Sequence, residues 1–314
     1  MRYAWAMKER VMKRIPAPLL YWGGILAAAA GNWLQSQAFI YAAALAFFTV
    51  FSIAPVMIVV VAIVGLVLGE QAAKGQLMSQ LEEVLGPQAA EVVQTAVVNS
   101  QIEESGIWPT LLGIAAIVVG ATTVFAQMQR SLNQIWDVVP RPSRSSLWKF
   151  VKTRVLSLTI VLAIGFVLLV SLLLSVVMQM VMEFSGQWLP VPDGAMVAME
   201  VSISLLVVTL LFAAIFKILP DVVLGWRDVM AGALITAILF TVGRSLIAIY
   251  LANTATASTY GAAGSLALLL LWVNFSALIL LYGAAVTRAN LEARGKPIVP
   301  RNTAVSVHRE LIED

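Results

Sequence analysis

The sequence predicts an all-α polytopic membrane protein: six transmembrane helices, an N-terminal interfacial helix, and amphipathic outer helices between spans one and two. Three observations carry this prediction. From Ile15 to Gly69 there is no charged side chain, and five further apolar stretches follow. The 314 residues are 60% hydrophobic and 12% charged, with mean hydropathy +0.90, where a soluble domain carries about 25% charged residues. The basic residues are also concentrated in alternate loops. A bilayer core of about 30 Å needs about 20 apolar residues per helical crossing, and an ionisable group at its centre costs several kcal/mol. A soluble core helix would keep one charged, wet face.

Residues 1–40 form a basic cytoplasmic N-terminus followed by an interfacial helix at Pro18–Ile40. Tyr21, Trp22 and Trp33 serve as headgroup-level anchors. The opening imitates a secretory signal, but its basic region is long, Pro16 and Pro18 interrupt it, and apolar character resumes after Asn32. It is read as uncleaved.

The membrane domain spans 41–287, with crossings at Tyr41–Gly69, Ile107–Gln127, Val155–Met182, Val201–Leu219, Val229–Ala252 and Ala262–Thr287. Helices are the only option, because backbone groups in lipid must be satisfied within the segment. Residues 70–106 connect spans one and two. There Leu77, Leu81, Val84, Leu85, Val92, Val93 and Ala96 recur at helical spacing opposite Glu82, Glu83 and Glu91, with a break at Gly86-Pro87. Residues 288–314 are a cytoplasmic tail.

Loop charge sets the orientation. The N-terminus, the loop after span two, the turn after span four and the tail hold five, six, two and five Lys or Arg, eighteen of the twenty. The opposite loops hold Lys74 against nine acidic residues from Glu70 to Glu200. The positive-inside rule then places both termini in the cytoplasm.

Arg244 is the one ionisable residue well inside a span. Ala233, Ala237, Thr241, Arg244, Ala248 and Ala252 step by three or four into a small, polar stripe, the kind of face that packs against a helix or walls a cavity. On that stripe the guanidinium points inward and can hold a phosphate bidentately; the bland alternative is snorkelling to the outer headgroups. The candidate substrate-binding set is Arg244, Thr241, Ser245, Thr49 and Ser52. Pro55 opens span one and frees the carbonyl of Phe51, with Thr49 and Ser52 one turn away. Asp228 caps span five. Gly261 and Gly264 mark a close approach or a non-helical entry to span six. Gly65 and Gly69 form a small-xxx-small pair.

Several function classes drop out. With no cysteine there is no thiolate or disulfide chemistry. With His308 the only histidine, no His-ligated zinc or haem can assemble in the membrane. Neither a cofactor nor a metal is expected, and no catalytic residue emerges.

The segments Ala43–Thr49 and Ser52–Pro55 with Gly65 and Gly69-Glu70, then Leu132-Asn133-Gln134-Ile135-Trp136, Trp226-Arg227-Asp228, Tyr260–Ser265 and Leu271-Trp272-Val273, resemble in order the motifs of the YihY/BrkB family. The resemblance runs from about Pro18 to Arg288. It implies a six-helix bacterial inner-membrane protein with cytoplasmic termini, agreeing with the charge count, and it brings labels of virulence factor, ribonuclease BN and transporter. Many similar proteins have a basic residue at the Arg244 position, and Gln and Glu where this chain has Leu278 and Ala285. Losing that Glu weakens cation-coupled schemes. Nuclease chemistry lacks its clustered carboxylates or histidines, so nucleic acid is not an expected partner. The leading expectation is translocation of an amphipathic anion, a phospholipid or other envelope lipid, with membrane lipids as the partners. The alternatives are an ion or small-solute exchanger, and a non-transporting scaffold that docks envelope proteins.

Overall fold

A computed structural model describes residues 17–69, scattered positions between 71 and 97, and then 107–141, 193–253 and 256–307. The span-three reading at Val155–Met182, the Gly86-Pro87 break and the basic run before Ala17 lie outside the described residues.

Six long helices run in chain order: α1 (Ala17–Gln35), α2 (Ala38–Leu68), α3 (Ile107–Ile135), α4 (Asp193–Ile218), α5 (Trp226–Asn253) and α6 (Thr256–Ala293). Two short strands, β1 (Val138–Pro140) and β2 (Ala304–Ser306), complete the described elements. Among the described residues, four stretches are long and apolar enough to cross a membrane: Ala38–Val61, Val201–Ile218, Trp226–Ile247 and Leu266–Ala293. They coincide with predicted spans one, four, five and six, and α3 carries the second as a helix.

α6 is the hub. It packs against α1, α2 and α5, while α3 lies against α2 and α4 against α5. The 38 residues of α6 extend about 57 Å at 1.5 Å per residue, nearly twice the hydrocarbon thickness. The helix is therefore longer than one crossing requires, and α1 docks on its C-terminal half, at Tyr282 and Asn290. Ile25 and Ala29 of α1 are buried, Tyr282 on α6 donates its hydroxyl to the Leu26 carbonyl (3.2 Å), and Tyr21 donates to Asn290 Oδ1 (3.4 Å). The predicted interfacial helix is thus held by the protein itself, with Tyr21 and Trp33 facing α6 as well as any headgroup layer. Gln37, in the left-handed region (φ 56°), turns the chain from α1 into α2.

α2 continues unbroken through Pro55. Gly120 of α3 makes room for the ring: a Cβ at position 120 would come within 2.7 Å of Pro55 Cγ. Gly69 closes α2 at φ 82°, its N–H donating to the Gly65 carbonyl (2.9 Å), so this glycine pair stops a helix.

The 71–97 segment shows the predicted two-sided pattern at its described positions. Leu77, Ala90, Val93 and Val97 are buried, while Glu82, Glu91, Gln94 and Thr95 are exposed. Leu77, Val93 and Val97 share a cluster with Ala54, Met57, Val60 and Val61 of α2 and Leu269 of α6.

The opposite end of the bundle carries a folded cap, where the sequence suggested only a tail. β2 pairs antiparallel with β1, Val138 opposite Ser306 and Pro140 opposite Ala304. Val223 N–H donates to the Val299 carbonyl, and Arg301 N–H to that of Asp221. Residues 294–307 therefore tie the end of α3 to the α4–α5 turn.

Candidate functional site

α5 and α6 are antiparallel, and glycines set how closely they approach. A Cβ at Gly232 would collide with the Thr287 side chain, and one at Gly283 with that of Thr236. Each threonine donates to its own helix, Thr236 to the Gly232 carbonyl (2.6 Å) and Thr287 to the Gly283 carbonyl (2.9 Å). Two Gly-xxx-Thr units thus interlock, each hydroxyl satisfied internally, the arrangement lipid favours. Three turns along α5, a Cβ at Gly243 would lie 3.0 Å from Ile279 Cδ1 and 3.1 Å from Phe275 Cε1.

Arg244 follows at this level. It is half-buried in a narrow cleft between α5 and α6 with Phe240, Gly243, Trp272, Phe275 and Ser276, and the cleft has no interior space for a water molecule. Phe240 and Trp272 meet edge to face at 5.9 Å. Asn274, one residue before Phe275, has a buried Oδ1 without a hydrogen-bond partner among the described residues.

The predicted stripe splits. Ala233 and Ala237 are fully buried, but Thr241 is exposed, as is Ser245, the binding candidate outside the stripe. The inward face runs instead through Val229, Ala233, Thr236, Gly243 and Ile247. The reason is geometric: successive steps of four residues drift by about 40° around a helix of 3.6 residues per turn. Thr241 donates to the Ala237 carbonyl (2.8 Å) and Ser245 to that of Thr241 (3.2 Å), which commits both hydroxyl donors to their own backbone. Thr49, half-buried, and Ser52, buried, belong to α2, which packs against α3 and α6, and neither residue lines the Arg244 cleft. The structure therefore does not gather the five predicted binding residues into one pocket; Arg244 alone keeps its place at the cleft. Nor does the non-helical entry to span six occur, since α6 runs helically through Gly261 and Gly264.

The cap holds the dense polar chemistry. Asp221 is buried and accepts from Asn133 Nδ2 (2.8 Å) and Gln129 Nε2 (3.2 Å), while its N–H donates to Asn133 Oδ1 (2.8 Å). Arg288 donates from Nη1 to Asp137 Oδ2 and the Ile135 carbonyl, both at 2.6 Å, and from Nε to Glu292 (2.8 Å). Asp137 takes the left-handed conformation (φ 48°), which an aspartate tolerates, and so ends α3 directly above Arg288. Asp228 sits one turn inside α5, accepting from Gly225 N–H (3.2 Å) and from Lys296 Nζ (2.6 Å). It thus caps from the third helical position, with Gly225 rather than itself as the boundary residue. Arg301 donates to the Lys217 carbonyl (2.9 Å), and the Lys217 ammonium lies 4.4 Å over the Trp226 ring.

Beside this network lies a cavity of about 810 Å³ between the end of α1, the α3–β1 junction, the end of α6 and the tail. Arg288, Lys296, Asp137 and Glu292 line it, together with Trp136, which is 1% exposed. The Trp136 indole Nε1–H has no hydrogen-bond partner among the described residues, a state that costs about 1–3 kcal/mol when nothing compensates it. Sequence reasoning missed this cavity, since its walls are contributed by four separate segments.

Among the described residues there is no cluster of three or more His, Cys, Asp or Glu side chains fit to hold a metal. The arrangement offers cationic and hydrogen-bonding contacts.

Comparison with known proteins agrees with the motif resemblance. The family model described as virulence factor BrkB matches residues 29–305. A UPF0761 membrane protein of Xanthomonas oryzae pv. oryzae (strain PXO99A) is 27% identical over 268 residues, covering 85% of this chain and 60% of the relative. One from Mannheimia succiniciproducens is 26% identical over 248 residues, covering 78% of this chain and 82% of the relative. The chain thus spans about 60% of the length of the Xanthomonas relatives it matches. No solved structure matches it. The chain belongs to the BrkB family and is a membrane protein.

Proposed function

Taking that membership as premise, we propose that the protein translocates an amphipathic anion, a phospholipid or related envelope lipid, across the bacterial inner membrane. The supporting observation is Arg244: a guanidinium half-buried on a membrane-length helix, where α5 meets Trp272 and Phe275 of α6. A charge is expensive at such depth and is best retained there for an anionic group. The cleft is closed as it stands, so passage requires α5 and α6 to separate beyond Gly243. Their contact there is one glycine against two side chains, looser than the double Gly-xxx-Thr lock below it.

We read the topology as six spans with both termini cytoplasmic. In support, the end of α3, the α4–α5 turn and the tail meet at one end of the bundle, and they carry Arg130, Arg141, Lys217, Arg227, Lys296 and Arg301. We read the protein as non-enzymatic and assign no catalytic role to any residue.

The test is lipid flux in reconstituted vesicles. Arg244→Gln should lower flux at least tenfold while the thermal unfolding midpoint stays within a few degrees. Undiminished flux in a folded Arg244→Gln protein overturns the proposal.

A further inference from the structure

We propose that the corner where α4 passes into α5 holds the phosphate of an anionic phospholipid, seated in the leaflet on the cap side of the membrane. The inference goes beyond the transport reading and does not depend on it, since this lipid is a resident neighbour and not cargo. It requires only that α4 and α5 cross the bilayer. Three observations at one place carry it.

First, three cations belong to this corner. The Lys217 ammonium stands 4.4 Å over the Trp226 ring, and Arg301 donates from Nη2 to the Lys217 carbonyl (2.9 Å). Arg227 follows Trp226 on α5 and is exposed. Among the described residues none of the three is paired with a carboxylate. The acidic side chains nearby in sequence are engaged otherwise: Asp221 is buried and accepts from Asn133 and Gln129, and Asp228 holds Lys296. Second, the membrane-length stretches Val201–Ile218 and Trp226–Ile247 both end here. The corner therefore lies where hydrocarbon gives way to headgroups, the level at which tryptophan is enriched and a lysine keeps its stem in the apolar layer. Third, apolar side chains beside the cations are exposed. Trp226 is 50% exposed, and Val223 and Val299, joined by the bond from the Val223 N–H to the Val299 carbonyl, are 62% and 49% exposed.

A soluble anion would use the cations alone. A phospholipid uses both features, its phosphate against Lys217, Arg227 and Arg301 and the upper part of its chains along Trp226. The charge pattern then selects among lipids. Phosphatidylglycerol brings one uncompensated negative charge. The ammonium of phosphatidylethanolamine offsets its own phosphate and finds no unengaged carboxylate among the described residues of the corner.

The experiment is equilibrium binding to the purified, delipidated full chain in detergent, read by native mass spectrometry, with the unfolding midpoint as the check on folding. The probes are phosphatidylglycerol, phosphatidylethanolamine with the same acyl chains, and free glycerol phosphate. Phosphatidylglycerol should bind saturably and about tenfold more tightly than phosphatidylethanolamine. Lys217→Gln should weaken phosphatidylglycerol about fivefold, the contribution of one basic residue at a membrane surface, and leave phosphatidylethanolamine unaltered. Combining it with Arg227→Gln should erase the preference. Arg227→Gln alone carries the same test if Lys217→Gln fails to fold, because that guanidinium is exposed and has no partner among the described residues. Arg130→Gln removes an exposed cation of α3 and should change nothing. Equal binding of the two lipids by the parent protein, or an unaltered preference in the double variant, overturns the proposal. So does a loss in Arg130→Gln as large as in Lys217→Gln, which would mean a diffuse positive field and no site. Glycerol phosphate competing as strongly as the lipid also overturns it, because the acyl chains would then contribute nothing. Binding here and flux in Arg244→Gln are read separately, so either can fail while the other stands.

Discussion

The cap and the α5–α6 cleft are made by opposite stretches of the same two helices, yet they are held together by different physics. At the cap, side chains from α3, the α4–α5 turn, α6 and the tail exchange hydrogen bonds across large sequence separations, as Asn133 does with Asp221 and Arg288 with Asp137. Along the shared face, hydroxyls bond their own helices, and cohesion comes from backbone proximity at Gly232, Gly283 and Gly243. The difference follows from the surroundings. Near water an unpaired polar group has a fallback, so a network can be assembled from distant parts. In lipid it has none, so each polar group is satisfied locally and small residues supply the contact.

That contrast can be broken by substitution, and the largest effect is expected in the membrane half. Gly283→Val should prevent folding or lower stability by more than about 3 kcal/mol, because the added carbons fall on Thr236 and Phe216 and helix contacts at backbone range tolerate little overpacking. Equilibrium unfolding in mixed micelles measures it. A mild effect would mean that α5 and α6 are not locked at this point. Asp221→Ala should follow at about 2–3 kcal/mol, since it strands the amides of Asn133 and Gln129 in a buried place. Gly120→Ala should cost about 1–2 kcal/mol, by pressing a methyl on the Pro55 ring. Lys296→Ala should cost at most about 1 kcal/mol, because the ammonium is half exposed and exposed ion pairs contribute little. Thr241→Ala should be nearly silent, within about 0.5 kcal/mol, since that hydroxyl serves only its own helix at an exposed position. If Thr241→Ala proved as damaging as Asp221→Ala, the division between the two regions would fail.

Chemistry that is local in sequence was legible before any coordinates. Charge-free runs marked the helices because lipid excludes ions, and five of the six predicted crossings coincide with described helices. The alternation of Leu77 and Val93 with Glu82 and Glu91 marked a two-sided segment. Asp228 stood out as a cap because capping acts within one turn. The binding set was less legible. Thr241 was assigned inward by stepping along the helix, an extrapolation whose angular error grows with each step. Thr49 and Ser52 were joined to Arg244 without knowledge of which side chains line the α5–α6 cleft, and neither of them does.

The sequence by itself determined the solvent, the helical class and the placement of charge, because each depends only on whether a residue tolerates hydrocarbon. Tertiary structure alone decided the folding of residues 294–307 into the cap, the docking of α1 on the C-terminal half of α6, the cavity at the cap and the stranded Trp136 N–H. Those features arise where segments remote along the chain become neighbours, and no local pattern of apolar and polar residues encodes which remote partner a hydrogen-bonding group will find.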